Sequence, residues 1–226
     1  MKEFISVAID GPAGAGKSSV AKAVSAKLGY IYVDTGALYR AVGLYMTGKG
    51  IDTKSAEAVS KMIEKDNIDI NIAFSDGVQH VILNGEDVNG MIRTPEISMA
   101  ASNVSAVPAV RQFLFDLQRD LAKKNNVIMD GRDIGTVVLP NAQVKVFLTA
   151  SAEERANRRC KELRGKGMEV NFDKILADIK IRDEQDMNRP IAPLKAADDA
   201  TVIDSSDMPF EEVVDTLVCV INEKIK

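Results

Sequence analysis

Apolar positions along this chain follow two periods, and the switches between them mark its organisation. Phe4 to Ile9 is a short β-rich apolar run closed by Asp10-Gly11, the pattern of a parallel strand buried on both faces. Within Ser18 to Leu28, Val20, Val24 and Leu28 fall at helical spacing, and Gly29 supplies a stop. Tyr30 to Val33 reads as a second strand. Asp34-Thr35-Gly36 ends it and caps a helix from Ala37 to about Thr47. The first third therefore reads β-α-β-α, which predicts a parallel sheet with right-handed crossovers.

The middle of the chain changes period. Ile68, Ile70, Ile72 and Phe74 alternate with Asp69, Asn71 and Ala73, a strand with one face buried. Ser75-Asp76-Gly77 is a turn, Val78 to Leu83 a further strand, and Asn84-Gly85 a hairpin signal before a short strand at Glu86 to Val88. This meander reads as a small inserted subdomain. Thr94-Pro95-Glu96 opens a helix, and Val110, Phe113, Leu114, Leu117 and Leu121 form the stripe of another. The β/α pattern then returns, with strands at Val127 to Met129, Val144 to Leu148 and Ala200 to Ile203. Ser151 and Glu154 form a capping box, and Val214, Leu217, Val218, Ile221 and Ile225 mark a C-terminal amphipathic helix. About five core strands result, with no internal repeat.

Composition narrows the class. With 226 residues, 46% of them hydrophobic and 27% charged, the chain can bury a full core and is expected to form one to two domains. A net charge of −4 argues against a dedicated nucleic-acid binder, so any anion site must be local. The two cysteines, Cys160 and Cys219, have no metal-ligand spacing and suggest a reducing compartment. A single histidine, His80, disfavours histidine-based metal sites and a Ser-His-Asp triad. It reads as a surface or half-buried strand residue. Cys160 reads as a helix thiol without a role, Cys219 as a core residue, and Met46, Met62, Met91 and Met99 as gap fillers. No apolar run is long enough to span a membrane, and Met1-Lys2-Glu3 is too short and acidic to open an export signal. A cytoplasmic, monomeric protein without membrane or nucleic-acid partners is expected.

Gly11-Pro12-Ala13-Gly14-Ala15-Gly16-Lys17-Ser18 matches G-x-x-x-x-G-K-[ST] between a strand and a helix. Glycines let the backbone curl around phosphate oxygens, and successive N–H groups and the helix N-terminus then face the anion. Lys17 adds a compact cation toward the β- and γ-phosphates, Ser18 a hard oxygen for Mg²⁺, and Ser19 a donor for the α-phosphate. A purine nucleoside triphosphate with Mg²⁺ is the implied ligand. The loop alone does not name a reaction. Neither N-K-x-D nor L-S-G-G-Q occurs, and a kinase of a small acceptor such as UMP or shikimate, or a nucleotide-sensing switch, stays open on this motif.

Three further clusters fall at strand ends or on one helix: Asp34-Thr35-Gly36-Ala37-Leu38-Tyr39-Arg40, Asp130-Gly131-Arg132-Asp133-Ile134-Gly135, and Arg182 to Arg189. Arg182, Asp186 and Arg189 can share a helix face. Arg155, Arg158, Arg159 and Arg164 precede Gly165 and Gly167, a composition suited to a movable cationic lid. Glu153, Glu154, Glu162 and Glu169 are available to pair with it. Phosphoryl transfer between anions needs fixed cations and exclusion of water.

In this order and spacing the four blocks resemble the bacterial cytidylate kinases, from about Ile5 to the C-terminus. The resemblance implies the nucleoside-monophosphate-kinase fold, an α/β P-loop architecture with a five-stranded parallel sheet, a lid, and the extra antiparallel sheet of the long bacterial form. It divides the chain into a core of residues 1–34 and 108–226, with a lid at about 155–168, and an acceptor subdomain of residues 35–107 with its insert at about 68–90. It implies transfer of the ATP phosphoryl group to CMP or dCMP. Thr35, Arg40, Arg132 and Arg189 would then surround the acceptor phosphate, Ser102, Arg111 and Asp133 would read cytosine, and Arg182 and Asp186 would reach the ribose. Lys17, Arg132, Arg189, Arg158 and Arg159 would stabilise the transferring group. Asp34 or Asp130 could order the water shell of Mg²⁺; as readings of residues alone, a helix cap and a strand-end turn remain equally open for them.

Overall fold

The computed structural model describes residues 4–225, and Met1 to Glu3, the segment weighed above as an export signal, lie outside them. Two sheets organise the chain. Strand β1 (Ser6–Asp10) leads through helix α1 (Lys17–Leu28) to β2 (Ile31–Asp34) and α2 (Thr35–Gly48). Helix α3 (Ala56–Lys65) precedes β3 (Ile70–Ser75), β4 (Val78–Leu83) and β5 (Glu86–Asp87). Helices α4 (Pro95–Val104) and α5 (Pro108–Lys124) lead to β6 (Val127–Gly131), a π-helical turn at Ile134–Val138, and β7 (Val144–Thr149). Helices α6 (Ala152–Gly165) and α7 (Phe172–Asn188), strand β8 (Thr201–Asp204) and α8 (Phe210–Lys224) complete the fold.

The five-stranded sheet runs β2-β6-β1-β7-β8 and is parallel throughout, as expected from the β/α alternation. The three-stranded sheet β3-β4-β5 is antiparallel, as the period-2 pattern predicts. Register matters most for function. Asp34 lies opposite Asp130, and Asp10 opposite Gly131, so the carboxyl ends of three adjacent strands meet at one edge. Open α/β sheets bind ligands there.

Each face of the sheet is closed by apolar packing. Val20, Val24, Val214, Leu217 and Ile221 cover one face against Val7, Ile9, Val146 and Leu148. Ala8, Val33, Val127, Met129 and Ile134 close the other. A separate cluster joins Leu38, Val42 and Met46 of α2 to Ile70, Val81 and Leu83 of the insert and to Val110 and Leu114 of α5. The apolar side of the insert therefore packs mainly on α2 and α5, while Gln79 of β4 reaches the end of β2 at Asp34.

Local expectations mostly hold. Thr94 caps α4 with Pro95 in the first turn, and Ser151 accepts from Glu154 N–H at the start of α6. The reciprocal half of that capping box is not formed, because the Glu154 carboxylate accepts from Arg158 instead at 3.0 Å. Cys219 is a correction: it lies on the solvent face of α8, whose buried positions are Val213, Val214, Leu217 and Ile221. Two residues beyond Leu217 is about 200° around a helix, away from the core. Met46 is buried as a gap filler, but Met91 and Met99 are 50% and 57% exposed and fill nothing. No described helix is long and apolar enough to cross a membrane.

Candidate active site

One cleft of about 470 Å³ collects the phosphate loop and the three polar clusters. Nine cationic side chains and five carboxylates line it. The lining carries a formal excess of four positive charges in a chain whose net charge is −4.

The phosphate loop is fixed at both ends. Gly11 has a φ of +148°, and a Cβ there would meet the Leu148 carbonyl oxygen at 1.9 Å, so only glycine lets the loop leave β1. Lys17 is buried, and its Nζ donates to the Gly11 and Pro12 carbonyls at 2.7 and 2.8 Å. Burial, with help from the Arg132 charge, pushes the Lys17 pKa well below its ordinary value. An arriving polyphosphate would relieve that penalty. Gly14, Gly16, Ser18 and Ser19 also line the cleft, whereas Ala15 faces the core.

Carboxylates at the strand ends organise the middle. Ser18 Oγ donates to Asp130 Oδ2 at 2.7 Å and the Tyr32 hydroxyl donates to Oδ1 at 3.0 Å. Burial and the Asp34 charge raise the Asp130 pKa. Asp34 caps α2 by accepting from Ala37 N–H at 3.0 Å, and its Oδ2 lies 3.3 Å from Arg93 and 3.6 Å from Arg40. Both sequence readings of Asp34 are thus compatible: it is a cap that also lines the cleft. Thr35 Oγ1 donates to the Asp130 carbonyl at 2.7 Å. The oxygens of Ser18, Asp34 and Asp130 line the same cleft and form a hard donor set that suits a Mg²⁺ retaining several waters. Among the described residues no group of three or more His, Cys, Asp or Glu is arranged for a resident metal.

The end of the cleft away from the phosphate loop is built from arginine–carboxylate pairs. Arg132 Nε donates to Asp186 Oδ2 at 2.9 Å. Arg111 is 2% exposed and donates from Nη2 to Asp133 Oδ2, while Arg189 Nη2 reaches Oδ1 at 3.2 Å. Arg189 lies just past the end of α7 rather than on the helix face proposed for it, yet Arg182, Asp186 and Arg189 line the same cleft. Burial lowers the pKa of both Arg182 and Arg189. Ser102 lines this end beside Tyr39, Ser105 and Gln118.

Beside the phosphate loop, Arg158 and Arg159 line the cleft from α6, held by Glu154 with Ser205 and by Glu162 respectively. Arg155 is different in kind. It is 4% exposed, donates to the Ala13 carbonyl of the phosphate loop at 3.0 Å, and pairs with Asp183 of α7. Composition presents it as one more lid cation, whereas its contacts make it a strut.

Several contributors carry no motif signal of their own. Asp10 accepts from the N–H groups of Ile134 and Gly135, both at 2.7 Å, tying the loop of Arg132 and Asp133 to the strand that carries the phosphate loop. Burial raises its pKa to about 6. Tyr32, Gln79 and Arg93 were given no role by the sequence reading, and Asp183 stood inside the Arg182 to Arg189 block without one. Only Asp10 was within reach, because it stands next to the glycine that opens the phosphate loop.

The cytidylate kinase family model matches residues 7–223. A cytidylate kinase from Caldicellulosiruptor saccharolyticus is 53% identical over 93% of this chain and 92% of its own length. One from Carboxydothermus hydrogenoformans is 47% identical over 96% and 97%, and one from Mannheimia succiniciproducens is 46% identical over the whole of both chains. Among solved structures, a gluconokinase from Sinorhizobium meliloti is similar at 15% identity and a TM-score of 0.49, with 99% of this chain and 94% of that chain covered. On the match across nearly its whole length and these identities, the chain belongs to the cytidylate kinase family.

Proposed function

We propose that the cleft performs the family's reaction, ATP-dependent phosphorylation of CMP and dCMP to the diphosphates, with each side chain in the role its position allows. The observation that carries the reading is the pairing, in one cleft, of a phosphate loop with a second arginine-lined end. A nucleotide switch has no use for the second end. The wider possibilities left by the loop alone, another small acceptor or a switch, are not favoured by a chain that belongs to this family.

Backbone N–H groups of Gly11 and of Ala13 to Ser19 cradle the donor phosphates, with Pro12 shaping the turn between them, and Lys17 follows the transferring group from one oxygen to the next. Thr35, Arg40, Arg132 and Arg189 hold the acceptor phosphate in line. Ser102, Arg111 and Asp133 read the cytosine edge, and Arg182 and Asp186 hold the ribose. Arg158 and Arg159 close over the phosphates and exclude water, which would otherwise compete as acceptor. No covalent intermediate on the protein is needed, because positioning and charge stabilisation suffice. Mg²⁺, when bound with ATP, neutralises charge on the β- and γ-phosphates; Ser18 would hold it, with Asp34 and Asp130 ordering its waters. The protein is read as a cytoplasmic monomer that binds no nucleic acid. Chromatography of a mixture of enzyme, ATP, Mg²⁺ and CMP tests the activity directly. CDP and ADP in equal amounts are expected, and ADP without CDP would overturn the reading.

A further inference from the structure

We propose that Gln79 of the inserted sheet is a positioning residue for the acceptor phosphate, acting through Asp34. Its side-chain amide pairs with both backbone groups of that residue. Asp34 N–H donates to Gln79 Oε1 at 2.8 Å, and Gln79 Nε2 donates to the Asp34 carbonyl at 3.1 Å. Neighbouring strands exchange this same pair of bonds; here one side chain supplies both halves. A primary amide alone offers an acceptor and a donor side by side, so neither a carboxylate nor a hydroxyl could make the clamp.

The clamp is braced from behind. The Gln79 carbonyl accepts from Asn89 Nδ2 at 2.7 Å, and Asn89 Oδ1 accepts from Val81 N–H at 3.1 Å. In front of it, Asp34 is a hub. Its carboxylate caps α2, faces Arg40 at 3.6 Å and Arg93 at 3.3 Å, and its backbone leads directly into Thr35. Movement of Asp34 would carry Thr35 and Arg40 together. Lys17 would stay in place, because its partners are Gly11 and Pro12. The segment between the insert and α4 also meets Asp34, through Arg93, whose half-exposed ion pair is weak and tolerant of angle. The two amide bonds are directional and set where the backbone sits.

This inference rests on the reading of Thr35 and Arg40 as acceptor-phosphate residues. In the full chain, Gln79→Leu removes both bonds at similar volume, and Gln79→Glu sets an oxygen against the Asp34 carbonyl. Arg40→Ala is measured beside them. Both Gln79 variants are expected to raise the KM for CMP about 5- to 20-fold, with kcat and the KM for ATP changed less than about 2-fold, the signature of lost ground-state binding at one substrate. The urea midpoint should not move. Amide exchange in β4 should slow on CMP binding in the parent and fail to slow in Gln79→Leu. A wild-type KM for CMP in Gln79→Leu, with Arg40→Ala impaired, overturns the latch alone. Unchanged CMP binding in Arg40→Ala as well overturns the acceptor-site reading. A parallel rise in both KM values with a lower urea midpoint, or no CMP-linked slowing in the parent, overturns the positioning role.

Discussion

Arg111 and Asp133 form a buried ion pair in the cleft, and the second oxygen of Asp133 faces Arg189 at 3.2 Å. One carboxylate therefore holds two guanidinium groups, one proposed to read the base and one to hold the phosphate. An ionised carboxylate accepts and never donates, so its free lone pairs suit the 4-amino group of cytosine and repel the O4 of uracil. Asp133→Ala is expected to lower kcat/KM on CMP and to shrink the CMP/UMP ratio at least about 10-fold, the scale of one mismatched buried polar contact. Initial rates on both monophosphates check this. An unchanged ratio would move discrimination to Arg111 and Ser102. Because the pair is buried, the variant's urea midpoint is measured beside the rates.

Lys17 is the residue whose loss should separate chemistry from folding. Among the described residues its ammonium bonds to two loop carbonyls, those of Gly11 and Pro12, while burial already disfavours its charge. Lys17→Ala should keep the fold and lose about 10²-fold or more in kcat, the scale of one preorganised electrostatic group. Near-parental turnover in the folded variant would contradict the donor-site reading.

Two neighbouring arginines of α6 should behave in opposite ways. Arg155→Ala leaves the Asp183 carboxylate and the Ala13 carbonyl without their partner, and should cost about 3–5 kcal/mol of stability, as for a broken buried pair. Arg159 pairs with Glu162 at a side-chain exposure of 45%, so Arg159→Ala should change stability by no more than about 1 kcal/mol and act on kcat instead. Urea titration and steady-state rates on both variants test the contrast; equal losses of stability would contradict it. Hydrogen exchange over residues 155–167 should slow with a bisubstrate analogue bound, and unchanged protection would argue against lid closure.

Asp10 gives a pH dependence of unusual sign. In the folded chain it keeps its proton to about pH 6, against 3.8 for the free side chain. Between those values the folded state binds the extra proton, so this group's contribution to stability falls as pH rises and is lost above about 6. Acidification therefore does not unfold the protein through Asp10. It weakens the two bonds that hold Ile134 and Gly135. The acid limb of kcat/KM should steepen below about pH 6 with the urea midpoint maintained. A phosphate monoester titrates in the same range, so Asp10→Asn is the comparison: its limb should lose one proton's worth of slope. Identical limbs would contradict the assignment.

The sequence carried most of the architecture, for reasons that differ by element. The bounds of β4 follow from the two turn signals that bracket it, Ser75-Asp76-Gly77 and Asn84-Gly85, and β3 stands out because its strict alternation breaks the β/α rhythm. Helix α3 was missed although Val59, Met62 and Ile63 fall at helical spacing and pack on one apolar cluster, whereas α7 buries only Asp186, so its apolar period is weak. The π-helical turn was invisible because Asp10, more than a hundred residues away in sequence, holds its first N–H groups. The site residues were legible where chemistry and spacing coincide, as in the phosphate loop and the Asp34 to Arg40 block. Arg155 and Gln79 were not, because their roles lie in long-range partners that composition does not name. Cys219 was misread because apolar neighbours do not fix which side of a helix a residue faces.

The central claim is that the cleft couples a triphosphate donor to a cytosine monophosphate acceptor. ADP release from ATP and Mg²⁺, followed without acceptor and then with CMP, UMP or AMP at matched concentration, tests it most directly. The account predicts little ADP without acceptor, fast release with CMP, and kcat/KM for CMP about 10²-fold or more above that for UMP, from two mismatched contacts in a closed site. Release at the same rate with and without CMP, or equal use of UMP, would contradict it.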